Sequence, residues 1–157
     1  MLNKSSLDIK KIISVVCFCL TASVTLTTGA EFKNLLTADS LEGWESIGKA
    51  KWTVNKGILS GGQDGDPKRW GYLQTKRKYK NFELRLDFKI DEHGKYNSGV
   101  YLRKPKEGKT GRAYQMNIGR GAAGEPVGLY LNDWLAKGDE HDKIRIPLKW
   151  NKLRILI

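Results

Sequence analysis

The sequence predicts an all-β domain built as a sandwich of two packed antiparallel sheets. Period-two alternation recurs after Ala30, glycine-rich turns separate the alternating runs, and no helical stripe of useful length intervenes. The clearest run is Phe82-Glu83-Leu84-Arg85-Leu86-Asp87-Phe88-Lys89-Ile90, in which apolar and charged residues alternate, so one face meets a core and the other meets water. Shorter strands are expected at Trp52 to Val54, Ile58 to Ser60 and Gly71 to Thr75, arranged as a meander, with Asn55-Lys56-Gly57 turning the chain between the first two. Further strands follow at Gly99 to Arg103, Ala113 to Ile118, Val127 to Leu131, and Leu148 or Trp150 to Ile157. Lys104 to Arg112, with Pro105, Gly108 and Gly111, and Asp64-Gly65-Asp66-Pro67 read as surface loops.

Residues 1–30 read as a signal peptide. Lys4, Lys10 and Lys11 precede an apolar run from Ile12 to Leu26, and Thr28-Gly29-Ala30 offers small residues for cleavage before Glu31. The run is shorter than the ~20 residues of a comfortable membrane span, so no stable membrane insertion is expected after cleavage. The expected setting is periplasmic, cell-envelope or secreted, with residues 31–157 forming one domain. Both cysteines, Cys17 and Cys19, fall in the leader, which leaves the domain to an ordinary hydrophobic core without disulfides or thiolate metal sites.

The chain carries 28 Lys and Arg against 17 Asp and Glu, a net charge of +11. The basic residues are spread through strands and turns and form no arginine-rich helix, which argues against nucleic acid as the partner and for a surface that favours acidic polymers. Two histidines exclude a zinc site built on several of them. Asp139-Glu140-His141-Asp142, Asp64 with Asp66, and His93 read as solvated turns; no strong motif supports a divalent cation, and no cofactor is expected. Gly119-Arg120-Gly121-Ala122-Ala123-Gly124 has the spacing of a dinucleotide fingerprint, but Glu125-Pro126 leads into a strand where the fingerprint needs a helix. Ser98 lacks the spacing of a nucleophile elbow.

The informative grouping lies on two neighbouring runs. Alternation puts Gln115 and Asn117 on one face, opposite Tyr114, Met116 and Ile118, and puts Tyr101 and Arg103 together opposite Val100 and Leu102. If the two strands are adjacent, these four side chains form a polar patch with an aromatic wall, suited to sugars, whose hydroxyls bond to amides and guanidinium while their C–H faces stack on rings. Trp44, Trp52 and Trp150 fall in strand contexts and belong to the core; Trp70 and Trp134 adjoin loops and are stacking candidates, with Asn97 and Tyr130 as further candidate substrate contacts.

Phe32-Lys33-Asn34-Leu35-Leu36 with Leu41-Glu42-Gly43-Trp44, Trp52-Thr53-Val54 with Gly57-Ile58-Leu59, Phe82 to Lys89, and Asn97-Ser98-Gly99-Val100-Tyr101-Leu102-Arg103 occur in this order along the chain. The series resembles the 3-keto-disaccharide hydrolase domain family, whose most recognisable motif is N-S-G-(I/V)-(Y/F)-(L/F)-R, and it covers essentially all of residues 31–157. The resemblance implies a concanavalin-like jelly roll and cleavage of glycosidic bonds in 3-keto-glycosides or disaccharides, by hydrolase or lyase chemistry, after a partner sugar 3-oxidoreductase has supplied the ketone. It also implies closing strands beyond the point that corresponds to Ile157, so the chain is expected to be C-terminally truncated. On this reading Arg103, Gln115 and Asn117 polarise or orient the sugar, and Asp133 or Glu125 is the candidate base. Gln115 stands where one common family pattern has a carboxylate, and an amide cannot act as a general base. A non-catalytic carbohydrate-binding module of the same fold is the alternative, and a structural envelope protein the third reading.

Overall fold

The Phe82–Phe88 strand shows how the sequence builds the domain. Leu84, Leu86 and Phe88 are buried, while Arg85 and Asp87 alternate toward solvent. In the computed structural model, residues 5–7, 25–26, 32–37, 39–62, 66–91, 97–104, 113–120 and 126–157 are described. They form β1 (Ser5–Leu7), β2 (Thr25–Leu26), β3 (Trp44–Gly48), β4 (Lys51–Asn55), β5 (Ile58–Gly62), β6 (Gly71–Thr75), β7 (Phe82–Phe88), β8 (Ser98–Leu102), β9 (Tyr114–Gly119), β10 (Val127–Leu131), β11 (Asp133–Asp139) and β12 (Asn151–Leu156), with one 3-10 turn at Pro67–Arg69. Among these residues there is no α-helix, and no helix long and apolar enough to cross a membrane.

The fold is all-β, with strands in antiparallel sheets as a jelly-roll sandwich requires. One sheet has the order β12-β7-β1-β2 and another β11-β10-β9-β8, with the hairpin β4-β5 and the pair β3-β6 beside them. Among the described residues the one parallel pairing is between β1 and β7. Leu84, Leu86 and Phe88 of β7, Val100 and Leu102 of β8, Ile118 of β9 and Ile155 of β12 meet in a single core with Trp44, Leu59 and Leu73. Trp52 and Trp150 pack against it, as their strand contexts predict. The N-terminal segment is tied to this core by Trp44, whose indole Nε1 donates to the Leu35 carbonyl at 2.7 Å.

The β4-β5 turn forms as expected, with Lys56 and Gly57 both at positive φ, the signature of the two-residue hairpin whose twist matches its strands. The meander does not continue from it. β6 pairs with β3, from Trp44↔Thr75 to Gly48↔Gly71, rather than with β5. Gly71 explains the close approach at the end of that pair, because a Cβ there would lie 2.6 Å from the Ile47 carbonyl oxygen. Four strands have no counterpart in the alternation: β1 and β2, which lie within residues 1–30, β3, whose side chains are mostly exposed, and β11, an edge strand with five exposed positions out of seven. A single polar edge needs no period-two pattern.

The outer face of β7 and β12 carries an ion cluster. Arg154 of β12 brackets the Glu83 carboxylate at 2.7 and 3.0 Å, and Arg85 Nε donates to the same carboxylate at 2.6 Å. Glu83 is buried, and hydrogen bonds from Arg154 hold its carboxyl below the ordinary value against the opposing effect of burial. A depressed carboxylate contributes stability above its unfolded-state value, near 4.5, and loses it as pH falls through the folded value. Glu83→Gln is therefore expected to lower stability at pH 7 by about 1 kcal/mol and to flatten the loss of stability below about pH 4.5. Thermal unfolding across that range checks both. Ile118→Ala, at a side chain 2% exposed, is expected to cost about 2–5 kcal/mol in urea unfolding.

Candidate functional site

β8 and β9 are adjacent and antiparallel, with Tyr101 opposite Gln115 and Gly99 opposite Asn117. On the other side of β9, β10 places Tyr130 opposite Gln115 and Gly128 opposite Asn117, and β11 places Trp134 opposite Tyr130. Directly paired residues share a face, so Tyr101, Gln115, Tyr130 and Trp134 form one row across four strands. The Tyr130 and Trp134 rings meet edge to face at 5.5 Å.

The second row, Gly99–Asn117–Gly128, holds the first in place. Asn117 is 1% exposed. Its Oδ1 accepts from Gln115 Nε2 and from Asn97 Nδ2, each at 3.3 Å, and its Nδ2 donates to the Pro126 carbonyl at 2.6 Å. The glycines on either side are required by this packing. A Cβ on Gly99 would overlap the Gln115 side chain, 2.6 Å from its Cγ, and one on Gly128 would overlap the Ala136 carbonyl oxygen. Asn117 thus orients Asn97 and Gln115 from beneath.

Over this sheet lies a groove of about 570 Å³ between β3-β6 on one side and β8-β9 on the other. Tyr101, Arg103, Asn97 and Gln115 line it, as do Glu45, Tyr72 and Gln74. Tyr72 and Tyr101 meet edge to face at 6.4 Å across the groove. Arg103 follows β8 at φ +52°, a left-handed conformation that costs a non-glycine residue about 1–2 kcal/mol, and its Nη2 reaches Asn81 Oδ1 at 3.4 Å. Glu45 is the one carboxylate among the described lining residues; its Oε2 accepts from Gln74 Nε2 at 2.7 Å.

The other candidates sit elsewhere. Asp133 caps its own strand, with Oδ1 accepting from the Trp134 backbone N–H at 2.7 Å; alternation turns it to the face opposite Trp134, and it does not line the groove. Trp134 and Tyr130 extend the aromatic face beyond the groove, and Trp70, 57% exposed, stands apart after the 3-10 turn. Glu125, His93, Asp64 and the 105–112 segment lie outside the described residues. The glycine run from Gly119 is followed by the strand β10, not the helix a dinucleotide site needs. Asp139 is not the solvated residue its acidic run predicts. It is buried, and its two oxygens accept the backbone N–H groups of Lys143, Ile144 and Arg145 at 2.7 to 3.0 Å, which hold its carboxyl below the ordinary value. Arg145, buried beside it, pairs with Asp142 at 2.6 Å and donates to the Arg120 carbonyl.

Sequence reasoning missed Glu45, because β3 has no clean alternation, and Tyr72, because nothing local pairs β6 with β3. A residue that pairs across the sequence leaves no mark in its own neighbourhood.

The class that the fold and groove define is an all-β sandwich with an amide, an arginine and tyrosines lining one groove. The chain belongs to the 3-keto-alpha-glucoside-1,2-lyase-like domain family, whose model matches residues 31–157. It is similar to a Bacteroides thetaiotaomicron protein named 3-keto-disaccharide hydrolase, 38% identical over 73 residues, a stretch that covers 40% of this chain and 23% of that protein. This chain therefore spans well under two thirds of that relative's length. No solved structure matches it.

Gly99→Ala tests the clamp. The added methyl is expected to displace Gln115 from Asn117, seen as a shift of the Gln115 side-chain amide NMR signals and a loss of about 1 kcal/mol of stability, while secondary structure by circular dichroism stays unchanged.

Proposed function

We propose that this chain is an exported enzyme that cleaves the glycosidic bond of 3-keto-glycosides in the groove between β3-β6 and β8-β9. The single observation that carries the reading is the convergence of Arg103, Gln115 and Tyr101 with one carboxylate, Glu45, on the same groove. Family membership supports the substrate class, and the basic start and apolar run by which residues 1–30 read as a signal peptide support export.

The chemistry asks for few groups. A ketone at the third sugar carbon acidifies the C–H at the second. A base removes that proton, the electron pair forms the double bond to the first carbon, and the C–O bond there breaks with its pair leaving on the glycosidic oxygen, which takes up the proton that the base accepted and so frees the base. Addition of water across the double bond completes hydrolysis; without it the reaction ends as a lyase. In this proposal Glu45, the carboxylate of the described lining, is the proton acceptor in place of Asp133. Arg103 and the Gln115 amide stabilise the charge that develops on the ketone oxygen, and Tyr72 with Tyr101 supports the ring. Asn117 acts through Asn97 and Gln115 rather than on the sugar. An upstream sugar 3-oxidoreductase supplies the ketone.

A second reading is favoured by a specific feature: Gln115 on β9 is an amide and cannot act as a base, which would suit a carbohydrate-binding module. Turnover separates the two. The protein is expected to release 3-keto-glucose or its unsaturated product from 3-keto-trehalose, and Glu45→Gln to lower kcat by about 10²–10⁴ with KM little changed. Arg103→Ala is expected to lower kcat/KM by about 10²–10³. Binding of the 3-keto sugar by the folded protein without any product would establish the binding module.

A further inference from the structure

The groove is strongly basic, which a neutral 3-keto disaccharide does not require. Lys76, Arg77 and Lys78, on the turn from β6 to β7, line it at one end, and Arg103 and Lys104, past the end of β8, line it as well. Against these five cations stands Glu45, already engaged by Gln74. The described lining is thus four positive charges in excess.

These cations are presented by fixed backbone. Lys76 N–H donates to the Gly43 carbonyl at 2.8 Å and Thr75 Oγ1 donates to the Arg77 carbonyl at 2.8 Å, so the 76–78 turn is pinned at both its start and its middle. Two of the five side chains lie against rings. The Arg77 guanidinium sits 5.5 Å from the Tyr79 ring centroid, and the Lys104 ammonium 5.2 Å from that of Tyr72. Cations held on aromatic faces that also wall a sugar-sized groove set an anion's position relative to a stacked sugar ring. Concentrating like charge in a concave site costs self-repulsion, and an anionic ligand relieves it.

We infer that the groove takes an acidic glycoside, one whose sugar carries a carboxylate or a sulfate ester, with the Lys76–Lys78 turn as the subsite for the acid group. This deepens the carbohydrate reading of the groove and rests on it. A uronate and a sulfated sugar share the chemistry that the turn recognises.

The test is calorimetric and needs no turnover, so its failure is distinct from a failure of the enzymatic reading. The full chain is titrated with an oligogalacturonate, a sulfated galactose oligosaccharide and neutral maltotriose of equal length, at low and at high salt. At least one acidic oligosaccharide is expected to bind about tenfold tighter than the neutral one at low salt, and the preference to shrink as salt rises. The triple variant Lys76→Gln, Arg77→Gln, Lys78→Gln is expected to lose the preference while keeping its affinity for maltotriose and any turnover of neutral 3-keto-trehalose. The carboxylate and sulfate arms identify the acid group. Equal affinity for acidic and neutral sugars would overturn the inference, as would a preference that survives in the triple variant. Single-stranded DNA binding as tightly as the best acidic sugar would overturn it too, by showing a patch that answers to charge alone.

Discussion

The groove depends on one buried amide. Asn117 Oδ1 is a single acceptor shared by Asn97 and Gln115, and its other end is fixed by the Pro126 carbonyl. An amide in a nearly closed site must satisfy its donors and acceptor inside the protein, and here the satisfaction does structural work across two strands and a loop. Removing it would leave the Asn97 and Gln115 donors without their shared acceptor directly below the proposed sugar. Gly99 and Gly128 are the sequence's concession to that arrangement, since neither neighbour can carry a side chain on the same face.

Around this clamp the fold divides its tasks between faces. The inward face of β7, β8 and β9 supplies Leu86, Val100, Leu102 and Ile118 to the core, and the opposite face of β8 and β9 supplies Tyr101 and Gln115 to the groove. Period-two alternation therefore writes stability and recognition on the same strands without conflict. The second wall comes from β3 and β6, far away in the chain, and brings Glu45 and Tyr72. The strained backbone at Arg103 belongs to the same economy: the chain turns out of β8 just where its guanidinium must reach the groove.

How much of this was legible in the residues follows from range. The strand Phe82–Phe88, the hairpin turned by Lys56-Gly57 and the shared face of Gln115 with Asn117 depend on local alternation and turn chemistry, and each was readable; the patch with Tyr101 hung on the adjacency of β8 and β9. The pairing of β3 with β6 depends on contacts some 30 residues apart, and with it the groove's second wall and its carboxylate were hidden. Asp133 was a candidate base, but the pairing of Leu131 with Asp133 turns it away from the face that carries Trp134. Asp139 looked solvated because its neighbours are charged, whereas three backbone donors drew it inside. Neither outcome is encoded in composition.

The most direct test of the groove as the sugar site is side-chain amide NMR of labelled protein during titration with a 3-keto-glycoside. The Gln115 and Asn97 amide signals, together with the Tyr72 and Tyr101 ring signals, are expected to shift in a saturable manner, while the backbone amides of Lys143, Ile144 and Arg145 at the Asp139 anchor stay in place. Saturable shifts at the Asp139 anchor or at Trp70, with Gln115 and Asn97 unmoved, would contradict it.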